Sequence, residues 1–136
     1  MYEIFEHTAD LGLRVQAATL PELFADAGQG LFAIVVEEIA LVQPAVAREF
    51  QIAGRDLAYL LFDWLNELLY VCDTEHLAFS QFDVRMTEAG LAATVRGEPL
   101  DPARHRLTHE IKAITYHGLK VEQTSEGWLA EVIVDI

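Results

Sequence analysis

Cationic side chains and cysteine are scarce in this chain. Of its 136 residues, 9 are Lys or Arg against 22 Asp or Glu, a formal net charge of −13, and the sequence pI is near 4.6. A protein that grips nucleic acid directly displaces counterions with a basic surface, and this composition is the opposite. The single cysteine, Cys72, excludes an intramolecular disulfide and any Cys-based metal knuckle. No window reaches about 18 uninterrupted apolar residues, and Met1-Tyr2-Glu3-Ile4-Phe5-Glu6-His7 has neither the cationic start nor the apolar run of a signal peptide. The expectation is a soluble, cytoplasmic protein. No Gly-x-Ser-x-Gly elbow or Walker pattern occurs, and neither Lys112 nor Lys120, the only lysines, opens a Lys-x-Asp-Gly motif of nucleotidyl transfer.

What is present points to one globular domain over residues 1–136. The hydrophobic share is 52%, and a chain of this length buries enough surface for a core without staples. Its charge is unevenly placed. Residues 1–84 carry 3 basic and 14 acidic side chains, residues 85–120 carry 6 and 4, and residues 121–136 carry none and 4.

Residues 11–18 begin with apolar–polar alternation, as in a half-buried strand. Thr19-Leu20-Pro21-Glu22 is a capping box with proline in the first turn, so a helix should begin near residue 20. Leu23, Ala27, Leu31 and Val35 recur along it. Gly28 and Gly30 fall two turns inside that helix, which favours close packing over a phosphate cradle. A strand is expected at 48–53. From Asp56 to Cys72, Leu57, Leu60, Leu61, Trp64, Leu65, Leu68, Leu69 and Cys72 form a wide apolar arc opposite Asp56, Asp63, Asn66 and Glu67, marking a core helix. Period-two segments at 77–86 and 91–96, and again at 119–124 and 128–134, flank short turns and predict two hairpins. The whole predicts an α+β fold: two main helices packed on a mixed, mainly antiparallel β-sheet of six or seven strands.

Candidate chemistry is sparse. His105 and His109 are four apart, but no His-Glu-x-x-His motif follows, and solvated loop histidines are the expectation, with a basic contact surface as the alternative. Cys72 closes an apolar helix face and is expected to be buried. Asp63 and Glu67, at i and i+4, belong to a solvated helix face. Two places remain. One is His7-Thr8-Ala9-Asp10-Leu11-Gly12, an acidic turn between strands. The other is Val134-Asp135-Ile136, where a side-chain carboxylate lies one residue from an α-carboxylate. If Asp10 lies beside that end, three carboxylates meet, and such a cluster repels itself unless a cation neutralises it. Hard oxygen ligands select Mg²⁺, Ca²⁺ or Mn²⁺ over zinc. Simple solvation is the ordinary alternative.

Four blocks taken together, His7 to Gly12, Asp63 to Tyr70, Glu110 to Glu122 and Val134 to Ile136, resemble the archease family in order and over the full length. The departures are conservative: Leu11 where isoleucine is common and Ile114 where valine is common. The resemblance implies a non-catalytic activator of an RtcB-type RNA ligase. Such a protein promotes the ligase's guanylylation and multiple turnover in tRNA splicing or RNA repair, and meets RNA only through that partner. It further implies a divalent metal ion (Ca, Mg or Mn) held by Asp10, Asp135 and Ile136, the last through its backbone or terminal carboxylate. His7, Glu110, Lys112 and His117 would either contact the ligase or brace the metal site. Two other readings stay open: a small metal-dependent phosphoester hydrolase, and a chaperone-like binding module.

Overall fold

Helix α1 (Leu20–Val35) begins where its capping box predicts, with the Thr19 hydroxyl oxygen accepting from the Glu22 N–H at 3.4 Å. The computed structural model describes residues 1–7 and 9–136. Ahead of α1 lie β1 (Tyr2–His7) and β2 (Asp10–Ala17). After it come β3 (Val46–Ala53), α2 (Leu57–Glu75), β4 (Leu77–Met86), β5 (Gly90–Pro99), β6 (Ala113–Ile114), β7 (Lys120–Thr124) and β8 (Gly127–Asp135). The α+β class and the two helices are as expected. The sheet is not one mixed layer, because the strands divide into two antiparallel sheets, β1-β2-β8-β6 with β7 also on β8, and β3-β5-β4.

Helix α1 lies between those sheets and is buried on nearly every side: Leu23, Phe24, Ala27, Leu31, Phe32, Ile34 and Val35 all belong to the core. Gly28 and Gly30 face opposite ways because two residues turn a helix by about 200°. A Cβ on Gly28 would stand 2.8 Å from the Phe82 ring of β4, and one on Gly30 would run into Leu13 of β2 and come within 3.2 Å of Tyr2 Cβ. The two glycines therefore let a sheet close on each flank of the helix.

Helix α2 is capped by Asp56, whose Oδ1 accepts from the N–H groups of Ala58 and Tyr59. Its apolar face ends at Cys72, as predicted, but the helix continues to Glu75, since nothing breaks it before His76 turns left-handed at φ 55°. Trp64, fully buried, donates from its indole N–H to the Phe24 carbonyl at 2.9 Å and so ties α2 to α1. Among the described residues, no helix is long and apolar enough to cross a membrane.

The expectation for His105 fails. It is 1% exposed, accepts the Asp101 N–H at Nδ1 (2.9 Å), and therefore carries its proton on Nε2, 3.0 Å from Glu98. Glu98, itself buried, also accepts from the Gln43 N–H and from both terminal nitrogens of Arg104. The turn after β5 folds Arg104 and His105 back over Glu98, a tertiary contact that residue type and local spacing do not reveal. His109 is exposed, as expected.

Two outcomes follow from this packing. Replacing helical glycine by alanine contributes about 1 kcal/mol of stability through propensity, whereas overpacking a core costs about 1–3 kcal/mol. Gly30→Ala, aimed at fully buried Leu13, should therefore lower stability in urea unfolding. Gly28→Ala, aimed at half-buried Phe82, should be close to neutral. The second outcome concerns acid. Hydrogen bonds from Arg104 foremost, then from the Gln43 N–H, hold the Glu98 carboxyl down at about 2 from an ordinary 4.5. A depressed carboxyl contributes stability that is complete above its unfolded value and is lost as pH falls through its folded one. Glu98→Gln should lose about 2 kcal/mol at neutral pH and flatten the stability profile between pH 4.5 and 2, measured by urea midpoints across that range.

Candidate carboxylate site at the end of β8

Strands β1 and β2 are joined through a two-residue loop closed by the pair His7 and Asp10. Ala9 in that loop has φ 64°, a left-handed conformation that costs a residue with a Cβ about 1–2 kcal/mol. Thr8, the other residue of the His-Thr-Ala-Asp block, lies outside the described residues. The turn makes Asp10 the first residue of β2, half-buried at the sheet's end.

β8 runs antiparallel to β2 with Leu11 opposite Val134, so the next step of the register sets Asp10 against Asp135. On the other flank Asp135 pairs with Ala113 of β6, and its carbonyl accepts the Lys112 N–H at 2.7 Å. Val134 is thus paired on both sides, to Leu11 and Ile114, and Asp135 beyond it is anchored through β6. Ile136 follows, half-buried against the core. Of the residues singled out in the sequence, Asp10, Asp135 and Ile136 are brought to one edge.

Two of the four accompanying residues come to the same place. The Thr115 hydroxyl donates to the Ile133 carbonyl at 2.9 Å and accepts the His117 N–H at 3.2 Å, which seats the turn beside β8. The His117 ring then lies 5.2 Å from that of His7. His7 Nδ1 is buried without a hydrogen-bond partner and stands 3.9 Å from Asp10 Oδ2, within ion-pair range but too far for a hydrogen bond. Lys112 touches the site through its backbone, while its side chain is exposed. Glu110 is instead on a cleft of about 440 Å³ with Cys72, Asp73 and His76, beside the end of α2.

The charges at this edge are not neutralised from within. Among the described residues neither Asp10 nor Asp135 has a Lys or Arg partner, whereas nearby Glu131 has both Arg14 and Lys120. Nor do three His, Cys, Asp or Glu side chains form a metal-holding group among the described residues. The carboxylate set expected from the sequence has only two such side chains, its third member being the chain end. In donor type, the carboxylate oxygens suit a hard divalent cation, whereas the imidazole nitrogen beside them is a donor that transition metals prefer. Cys72 is buried, and that burial, with the charge of Asp73 adding to it, pushes its thiol up to about 11.

Sequence reasoning missed two features here. One is the contact between His7 and His117, 110 positions apart. The other is that Tyr116 lies flat on Phe62 of α2, ring centroids 4.0 Å apart, which carries the turn across to that helix.

Comparison with known proteins covers the whole chain. Residues 2–136 match the model of the Archease protein family (MTH1598/TM1083). The archease of Pyrococcus abyssi is 41% identical over 99% of this chain and 98% of that protein, and the archease of Methanopyrus kandleri is 39% identical over 99% of each. The solution structure of Methanobacterium thermoautotrophicum protein 1598 superposes with a TM-score of 0.87 at 34% identity, covering 99% of this chain and 98% of the other. A crystal structure of an archease from Thermotoga maritima, described as a possible chaperone, shares the fold with a TM-score of 0.70 at 22% identity, covering 100% and 98%.

The strained turn makes a direct prediction. Ala9→Gly removes about 1–2 kcal/mol of left-handed strain and loosens the unfolded chain by about 0.4–1 kcal/mol. The variant should be the more stable by about 0.5–1 kcal/mol in urea unfolding; a lower midpoint would contradict the strain.

Proposed function

The chain belongs to the archease family, and from that premise we propose that it is an accessory protein of an RtcB-type RNA ligase. It promotes guanylylation of the ligase and its multiple turnover in tRNA splicing or RNA repair, acts in the cytoplasm, and forms no covalent intermediate itself. The observation that supports this reading is the register that sets Asp10 beside Asp135 and the chain end, with no Lys or Arg partner among the described residues.

Asp10, Asp135 and Ile136, the last through its backbone or terminal carboxylate, would hold a divalent cation, Ca²⁺, Mg²⁺ or Mn²⁺. Such an ion, when bound, supplies positive charge for phosphate oxygens. The protein's own residues do the positioning. The β1–β2 turn fixes Asp10, the hydrogen bonds of Lys112 and Thr115 fix the end of β8, and His7 and His117 wall one side. Lys112, exposed beside Asp135, would meet the ligase or brace the metal site. With a net charge of −13, RNA is repelled and a basic RNA-holding partner is attracted, so contact with RNA runs through the ligase.

The test is guanylylation of the cognate ligase with GTP, with and without this protein. Asp10→Ala and Asp135→Ala should each reduce stimulation by tenfold or more, and calorimetric titration with Ca²⁺ or Mn²⁺ should show weakened binding in both. Full stimulation by both variants would sink the carboxylate mechanism. A tag appended after Ile136 should impair stimulation where one preceding Met1 does not. Turnover of generic phosphoesters with Mg²⁺ or Mn²⁺, without ligase and dependent on Asp10, would instead establish a hydrolase.

A further inference from the structure

The outer face of α2 is built unlike the rest of the surface. Tyr59, Asp63, Asn66, Glu67, Tyr70, Asp73 and Thr74 are exposed and spaced by three and four, so they form one stripe along the helix. Tyr59 is 58% exposed and Tyr70 63%. Tyr116, 59% exposed, extends the stripe sideways: it stacks on Phe62 at an interplanar angle of 13° and meets Tyr59 edge-on at 5.8 Å. No Lys, Arg or His occurs between Leu57 and Glu75. Among the described residues Asp63, Glu67 and Asp73 have no ion-pair partner, whereas Glu75 at the helix end is held by Arg48 at 2.8 Å.

We propose that this face of α2, together with Tyr116, is a docking surface for an arginine-bearing protein surface. The inference rests on the reading above, in which that surface belongs to the RtcB-type ligase. Tyrosine rings set between carboxylates suit arginine in two ways at once, since a guanidinium stacks flat on an aromatic face and forms paired hydrogen bonds with a carboxylate. Charge complementarity selects this occupant over the others. A second copy would bring an identical acidic stripe against the first, and RNA would bring phosphates. The surface is also continuous with the carboxylate edge, because Tyr116 is followed by His117, which lies against His7 beside Asp10. A partner seated on α2 would thus be held next to the end of β8.

Affinity and activation separate the two sites. Binding of the whole protein to the purified cognate ligase is measured by calorimetry at several salt concentrations, beside the guanylylation assay. Asp63→Lys with Glu67→Lys, and separately Tyr59→Ser with Tyr116→Ser, should weaken binding tenfold or more. The charge variant should also flatten the salt dependence. Both should still reach the wild-type stimulation plateau at high concentration, while Asp135→Ala lowers that plateau and leaves affinity within about threefold. Thermal unfolding checks that the α2 and Tyr116 variants, altered at exposed positions, and Asp135→Ala, altered at a half-buried one, remain folded. Wild-type affinity in both α2 variants would overturn the docking surface and leave the carboxylate reading standing. No binding of the wild-type protein to the ligase would end both. Self-association or RNA binding that the α2 variants abolish would assign the face to another occupant and overturn the proposal.

Discussion

Close approach of two sheets to a single helix is the constraint from which the rest of this molecule follows. Helix α1 has almost no solvent face, and Gly28 and Gly30 remove side chains at the two points where β4 and β2 press nearest. The Trp64 indole bonded to the Phe24 carbonyl then fixes α2 relative to α1. Because β2 is held against α1 and β8 against β2, the far end of β8 has a defined address. The last residues of a domain would ordinarily fray; here Val134 is paired on both flanks, to Leu11 of β2 and Ile114 of β6, and the Asp135 carbonyl accepts the Lys112 N–H.

Electrostatics divides the surface into regions that are internally balanced and regions that are not. Glu98 lies under Arg104, the Gln43 N–H and His105, and Glu131 lies between Arg14 and Lys120. These are carboxylates the fold uses to pin loops and strands. At the end of β8 and along the outer face of α2, by contrast, Asp10, Asp135, Asp63 and Glu67 have no Lys or Arg ion-pair partner among the described residues. Of the 9 cationic side chains, Arg14, Arg48, Arg104, Arg106 and Lys120 form ion pairs with carboxylates elsewhere in the fold, among the described residues, and none pairs with these four acids. The left-handed Ala9 and the unsatisfied His7 Nδ1 fall at one of those faces, so backbone strain and unmet polarity coincide there with the unpaired carboxylates.

The amino-acid sequence by itself determined the helices, most of the strands and the class of the fold, because capping boxes, apolar arcs and period-two alternation are local. It also marked Asp10, Asp135 and Ile136 as candidates, through residue type and their place at strand ends. Tertiary structure alone decided how the strands divide into two sheets, since pairing depends on partners far apart in the chain. It buried His105, whose environment is made by Glu98 across a folded turn, although its spacing suggests a solvated loop. It placed Glu110 on a cleft beside α2 and His117 against His7. It also brought Asp10 opposite Asp135, a juxtaposition set by the β2–β8 register rather than by any spacing along the chain, because strand register is fixed by the buried faces of both partners at once.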